Sequence, residues 1–341
     1  MMTSRGNLTI LSCESGRLFA ERVVNALNEI VTQNVYSEKF RLKNTEEITF
    51  ANGEIKTVIN ENIRGDDVYI IQLLDDPNSA KSVNDNLMSL FTAINAAYQS
   101  DAESITAVIP HFSYSRQERK KTREGITAKQ IAMFIEVSGA NRVITLDLHA
   151  EAIQGFFQNA RMEDLHASRT LINYIKTKNH FTNPLVITGP DVGSAERARH
   201  YSKALGVEFA VVDKVRDYSK ISAIESMRLV GDVEGKDVLI VDDMISTGGT
   251  LVNASKVLKE KGAEKIIALS SLPFFNGNAI EKLEKATTDK VIDKVIGTDA
   301  VFHGEAFVDQ HDWYEEVSVA PLFAQVIYNI NRKRSVSELL R

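Results

Sequence analysis

The sequence predicts an α/β protein of two similarly built domains, each a mainly parallel sheet flanked by helices. Three observations carry that prediction. Short β-branched runs alternate with longer amphipathic stretches. The alternation occurs twice, once before about residue 160 and once after. A helix-closing glycine followed within a few residues by a strand recurs, in residues 137–144 and again in 261–267. Glycine closes a helix there because it enters the left-handed region without a Cβ penalty.

In chain order, Val68–Gln72, Ile105–Ile109 and Arg142–Leu146 read as the buried strands of the first domain. Leu185–Ile187, Phe209–Val212 and Val238–Val241 read as those of the second. Asn84–Ala97, Thr127–Val137, Ala195–Leu205 and Leu251–Lys261 have the 3.6-residue spacing of helices. The 341 residues suffice for two cores of ordinary size. Apolar residues make up 43% and charged residues 25%, the profile of a water-soluble globular chain.

Charge and cysteine usage exclude several function classes. The net charge of −6 argues against a nucleic-acid partner, whose binding surface is normally basic. Cys13 is the only cysteine, so neither an intrachain disulfide nor a cysteine zinc cluster can form. The apolar run Leu8–Leu11 is too short for a secretory core, and no run approaches the roughly 18 residues of a membrane span. The expectation is a cytoplasmic protein with no membrane partner.

One segment carries specific chemistry. The apolar run Val238–Val241 is followed by Asp242 and Asp243, then Met244, Ile245, Ser246, Thr247, Gly248, Gly249 and Thr250, and a helix begins near Leu251. The glycines let the backbone turn tightly and aim several N–H groups inward as an anion nest. The helix start adds uncapped donors, and the hydroxyls of Thr247 and Thr250 add more. Two carboxylates beside a phosphate do not favour the phosphate itself. They suit sugar hydroxyls or a bound cation.

This segment resembles the phosphoribosyl pyrophosphate motif of the type I phosphoribosyltransferase fold, which implies that both domains have that fold. Further segments resemble one branch, ribose-phosphate diphosphokinase. They are Phe50–Glu54 with residues 61–72, Ile109–Lys120, Asp147–Phe157, residues 189–191, residues 211–216 and residues 231–235, in one order along nearly the whole chain. No G-x-x-x-x-G-K-[ST] occurs, so the ATP site is not a P-loop.

The resemblance implies the following assignments. Phe50, Asn52, Glu54, Arg116 and Gln117 contact ATP. Asp242, Asp243, Ser246, Thr247, Gly248, Gly249 and Thr250 bind ribose 5-phosphate. Lys214 and Arg216 stabilise the transferring group, and His149 and Asp191, joined by Asp147, hold Mg2+. Residues 1–164 with 325–341 form the ATP-contacting domain, and 165–324 the ribose-5-phosphate domain. The chain assembles as a homo-oligomer, a dimer or higher up to a hexamer. Residues 217–226, with little apolar content, read as a mobile loop or lid, and 301–316 as an insertion containing Trp313.

Several positions depart from the family pattern: Asn52 for an acid, Ala152 for a glutamine, Ser194 within a Gly-Gly phrase, Val215 within a basic run and Ser246 for an aspartate. They keep two alternatives in play, a non-catalytic regulatory homologue of the synthetase and a nucleobase phosphoribosyltransferase.

Overall fold

The computed structural model describes residues 5–32, 39–216 and 225–340. The chain forms two compact units. The first holds the described residues of Met1–Ala167, Asp299–His303 and Ser318–Arg341, and the second Ser168–Thr298 with Gly304–Val317. The boundary thus falls after Ala167, and the C-terminal return begins at Ser318, ahead of residue 325. Nothing in the sequence signals the five-residue excursion at Asp299.

The first unit runs β1 (Leu8–Ser12), α1 (Arg17–Thr32), the hairpin of β2 (Thr45–Thr49) and β3 (Ile55–Ile59), β4 (Asp67–Ile71), α2 (Val83–Gln99), β5 (Ser104–Val108), α3 (Thr127–Ser138), β6 (Arg142–Leu146) and β7 (Arg161–Leu165). Strands β1, β4, β5, β6 and β7 form one all-parallel sheet in chain order. Both faces of such a sheet are covered, which is why β4 and β6 are buried at every position. Leu11, Val68, Ile70, Ile105 and Val143 pack with Ile94, Ile131 and Ile135 from the helices.

Local chemistry sets the helix ends. Ser82 and Asp85 form a reciprocal capping box at the start of α2. Gly139 closes α3 at φ 118°, as its place in the repeated phrase predicts. The C-terminal helix, Ala320–Asn331, packs on α1, with Phe323 edge-on to Phe19 at 5.5 Å between ring centroids.

The second unit runs α4 (Ser168–Thr177), β8 (Leu185–Gly189), α5 (Ala195–Leu205), β9 (Glu208–Arg216), β10 (Glu225–Val230), β11 (Asp237–Ile245), α6 (Gly249–Glu260), β12 (Ile266–Pro273), α7 (Ala279–Thr288), β13 (Lys294–Thr298), α8 (Glu305–Gln310) and β14 (Tyr314–Val317). Its sheet order is β10-β9-β8-β11-β12-β13-β14, with only the β9–β10 pair antiparallel.

Three sequence expectations need correction. The strand expected to stop at Val241 continues through the acidic pair to Ile245, because the ladder to β12 persists, with Asp242 opposite Ser270 and Met244 opposite Leu272. The following helix begins at Gly249, two residues before Leu251. Of the stretch read as a lid, Asp217 and the residues to 224 lie outside the described residues, while Glu225 and Ser226 belong to β10. Residues 304–317 supply α8 and the edge strand β14, and Trp313 is buried against Phe275 and Phe307.

Candidate active site

The second unit has a topological switch point. From β8 the chain moves to β9 on one side, and from β11 to β12 on the other. A crevice therefore opens at the carboxyl ends of β8 and β11, the usual ligand position in open α/β sheets. Pairing between these strands ends at Thr188 opposite Ile240. Beyond that point lie Asp191 on one strand exit and Asp242 to Thr250 on the other.

Asp191 is extended, and its carboxylate accepts the Gly193 N–H at 3.0 Å. Ser194 folds back to donate to the Asp191 carbonyl at 2.9 Å. A Cβ on Gly189 would stand 2.2 Å from the Ser194 hydroxyl, so glycine is required for this close approach. The departure at Ser194 is thus built into the turn.

Ser246, Thr247 and Gly248 join β11 to α6, and Gly248 is left-handed at φ 71°. No side chain caps the start of α6, which leaves the positive end of the helix facing the loop as an anion would require. Asp242 accepts the Asp243 N–H at 3.0 Å. Burial holds the Asp242 carboxyl well above the usual carboxylate range, reinforced by the charges of Asp243 and Asp191 and opposed by that N–H. A carboxyl raised in this way gives stability in acid that is lost as pH rises. Asp242→Asn removes the loss, so the variant should melt a few degrees above the parent in metal-free buffer at neutral pH, with the gap closing toward about pH 4. An equal or lower melting point at neutral pH would contradict this electrostatic picture.

In the first unit Phe50, Asn52 and Glu54 sit exposed at the tip of the β2–β3 hairpin. The Phe50 N–H donates to the Glu54 carbonyl at 2.8 Å, and the Asn52 amide oxygen accepts the Glu54 N–H at 3.2 Å. Asn52 therefore closes the turn. Phe50 is 48% exposed, which excludes a core role. Arg116 and Gln117 are exposed on the 3₁₀ turn Ser115–Gln117, reached through Tyr114 in the left-handed region at φ 60°.

His149 is exposed beyond the end of β6, and Asp147 is not. Asp147 is left-handed at φ 45°, and its buried carboxylate meets His166 Nδ1 at 3.1 Å and the Ala167 N–H at 3.4 Å. The carboxylate expected to join His149 at the metal is thus buried and engaged by His166 and the Ala167 N–H. Asp164 accepts the Leu148 N–H at 3.1 Å, and burial pushes its carboxyl up to about 6. His166 and Asp164 hold the Asp147–Leu148 turn and were missed by sequence reasoning, because only the fold brings residues 164–166 beside residues 147–148.

Lys214 and Arg216 lie two residues apart in β9, opposite Met227 and Glu225 of β10. Among the described residues, no three His, Cys, Asp or Glu side chains converge closely enough to hold a metal ion by themselves.

Residues 8–139 match the family described as the N-terminal domain of ribose phosphate pyrophosphokinase, and residues 160–311 match the phosphoribosyl transferase domain. The ribose-phosphate pyrophosphokinase of Wolinella succinogenes is 44% identical over 291 residues, 85% of this chain and 88% of that protein. That of Vibrio cholerae is 38% identical over 95% of this chain and 98% of its own. The crystal structure of phosphoribosylpyrophosphate synthetase from Mycobacterium smegmatis matches with a TM-score of 0.82 at 29% identity, covering 95% of this chain and 98% of that one. Matching relatives at this identity over nearly their full length, this chain belongs to the ribose-phosphate pyrophosphokinase family.

Proposed function

We propose that the protein transfers the diphosphoryl group of ATP to the C1 hydroxyl of ribose 5-phosphate, giving 5-phosphoribosyl 1-diphosphate and AMP. The observation that carries this reading is the uncapped anion nest beside an acidic pair at the switch point of the second unit. The C1 hydroxyl gives up its proton to solvent as its oxygen bonds to the β-phosphorus, the bond from that phosphorus to the α–β bridging oxygen breaks, and AMP leaves with that oxygen. Such transfers ask the protein mainly for positioning and charge stabilisation.

The nest from Ser246 to Thr250 holds the 5-phosphate, and Asp242 and Asp243 orient the ribose hydroxyls. Phe50 stacks on the adenine, while Glu54, Arg116 and Gln117 hold the nucleotide's polar groups and Asn52 shapes the hairpin that presents them. Lys214 and Arg216 meet the charge that develops on the diphosphoryl group. Asp191 and His149 are assigned to Mg2+, and the negative charges that Asp191 and Asp243 bring to Asp242 suit the neighbourhood of a cation that takes oxygen ligands. With so few protein ligands, its remaining positions suit phosphate oxygens and water. When bound, it neutralises charge on the diphosphoryl group.

Incubation with ATP, ribose 5-phosphate and magnesium should release one AMP for each phosphoribosyl diphosphate formed. Absence of AMP in a folded preparation would overturn this reading in favour of a regulatory homologue. Consumption of added phosphoribosyl diphosphate with a base would favour the transferase. Phe50→Ala should raise KM for ATP by about tenfold, the scale of one base–aromatic stack. Its melting point should not move, because the ring is exposed. An unchanged KM would remove Phe50 from the ATP site.

The homo-oligomer is part of the same proposal. On α2 and α3, Met88, Tyr98, Met133, Phe134 and Val137 are exposed, Val137 by 85%, which supports a protein partner on this apolar face. Sedimentation of a single 38 kDa species at micromolar concentration would refute it. Among the described residues no helix is long and apolar enough to cross a membrane.

A further inference from the structure

The nest that receives the phosphate is not held by its own residues. Three successive carbonyls at the end of β11 are each engaged by the segment that joins β12 to α7 and begins α7. The Phe275 N–H donates to the Ile245 carbonyl at 3.1 Å, and the Asn276 N–H to the Ser246 carbonyl at 2.8 Å. The ammonium of Lys282, on the first turn of α7, donates to the Thr247 carbonyl at 3.2 Å in an exposed contact.

A planar trans peptide directs its carbonyl and the following N–H to opposite sides. Fixing the carbonyls of Ile245, Ser246 and Thr247 toward α7 therefore turns the N–H groups of Ser246, Thr247 and Gly248 the other way. Those three N–H groups take no partner among the described residues. Three adjacent N–H groups aimed together are an anion nest, and without support their dipoles repel and the peptides rotate.

The supporting turn is itself strained. Phe275 is left-handed at φ 52°, a conformation that bulky residues avoid, yet it is buried. Phe307 stacks on its ring at 6.1 Å, and Trp313 and Tyr314 pack edge-on at 5.7 and 5.5 Å. The aromatic cluster of α8 and β14 thus fixes the conformation that aims the Phe275 and Asn276 N–H groups at the loop.

We propose that the segment from Phe275 to Lys282 is a strap that pre-forms the phosphate nest, with Lys282 as its positioning residue. It acts through the Thr247 peptide, and it also brings a positive charge to a loop whose own ionisable groups, Asp242 and Asp243, are both acidic. The inference rests on the proposed use of this loop for the phosphate of ribose 5-phosphate. It predicts selectivity for the phosphorylated sugar, since an orienting defect here falls on the phosphate end of the substrate and leaves the nucleotide untouched.

The test is Lys282→Met, which keeps the alkyl stem and loses the donor, compared with Lys282→Arg. For the Met variant, Kd for ribose 5-phosphate by calorimetry and KM for it should rise about tenfold or more. The KM for ATP, the kcat at saturating sugar phosphate and the melting point should stay within error. The Arg variant should recover most of the lost affinity. An unchanged Kd in the Met variant would overturn the proposal, as would a defect that falls equally on ATP and on melting. If the parent protein binds ribose 5-phosphate but releases no AMP, the assigned reaction fails and the strap is still tested by calorimetry.

Discussion

Replacing Lys214 with alanine is expected to slow AMP release by about 100- to 1,000-fold, the usual cost of losing one donor to a developing charge. The reason lies in where the charge appears. The diphosphoryl group passes through a loose transition state in which negative charge spreads over its oxygens, and a fixed cation stabilises that state more than the bound substrates. Lys214 is two positions from Arg216 on β9, whose pairing with β10 sets the register of both. The strand adjoins β8, one wall of the switch-point crevice. If Lys214 acts on the transition state as proposed, KM for both substrates should change little while kcat falls. Lys214→Arg should keep part of the rate, since it keeps the charge with a different geometry. Initial rates of AMP formation with both substrates saturating give the answer, and parental turnover in the alanine variant would strip Lys214 of the role.

Arg22→Ala is expected to cost about 3–5 kcal/mol of stability, the scale for removing one partner of a buried ion pair. The Asp299 carboxylate is fully buried and is held by Arg22 at 2.9 Å, the Ser318 hydroxyl at 2.5 Å and the Val319 N–H at 2.7 Å. Burial raises its carboxyl, and these three contacts pull it back. Without Arg22 the carboxyl rises further, and its ionisation then costs more at high pH than at low pH. The deficit measured by urea unfolding should therefore shrink as pH falls toward about 4. Arg22 also lies 4.1 Å above the Phe302 ring, so part of the loss is packing and persists in acid. Adding Asp299→Asn to the alanine variant should recover the pH-dependent part. A deficit below about 1 kcal/mol, or one that grows in acid, would refute this account of the pair.

Much of the fold was legible because apolar periodicity is local. The helix Ala195–Leu205 lies where its spacing puts it, and Arg142–Leu146 is the buried strand its β-branched run implies. The strand through Asp242 and Asp243 was not legible, since two acids interrupt the apolar pattern and only the ladder to β12 carries the strand past them. The proposed phosphate site could be read from the sequence because one short segment, residues 242–250, contains the chemistry it needs. Side-chain orientation is not legible in the same way. Asp147 and His149 are spaced alike for a cation, but a left-handed backbone at Asp147 turns its carboxylate to His166. Lys282 could not be singled out, because a lysine on an amphipathic helix looks like any solvated charge until the Thr247 carbonyl is seen beside it.

The C-terminal helix belongs to the first unit, although almost 150 residues of the second separate it from β7. On a ribosome the chain emerges from its amino end, so Phe19 on α1 waits without Phe323 until about 300 further residues have been made. The amino-terminal half is thus a nascent chain with an unfilled seam, while the second unit lacks nothing that follows Val317. The same order leaves premature stop codons few safe positions. A message truncated near codon 318 yields a first unit with α1 uncovered, and such a product should be a chaperone client and a poor survivor in the cell.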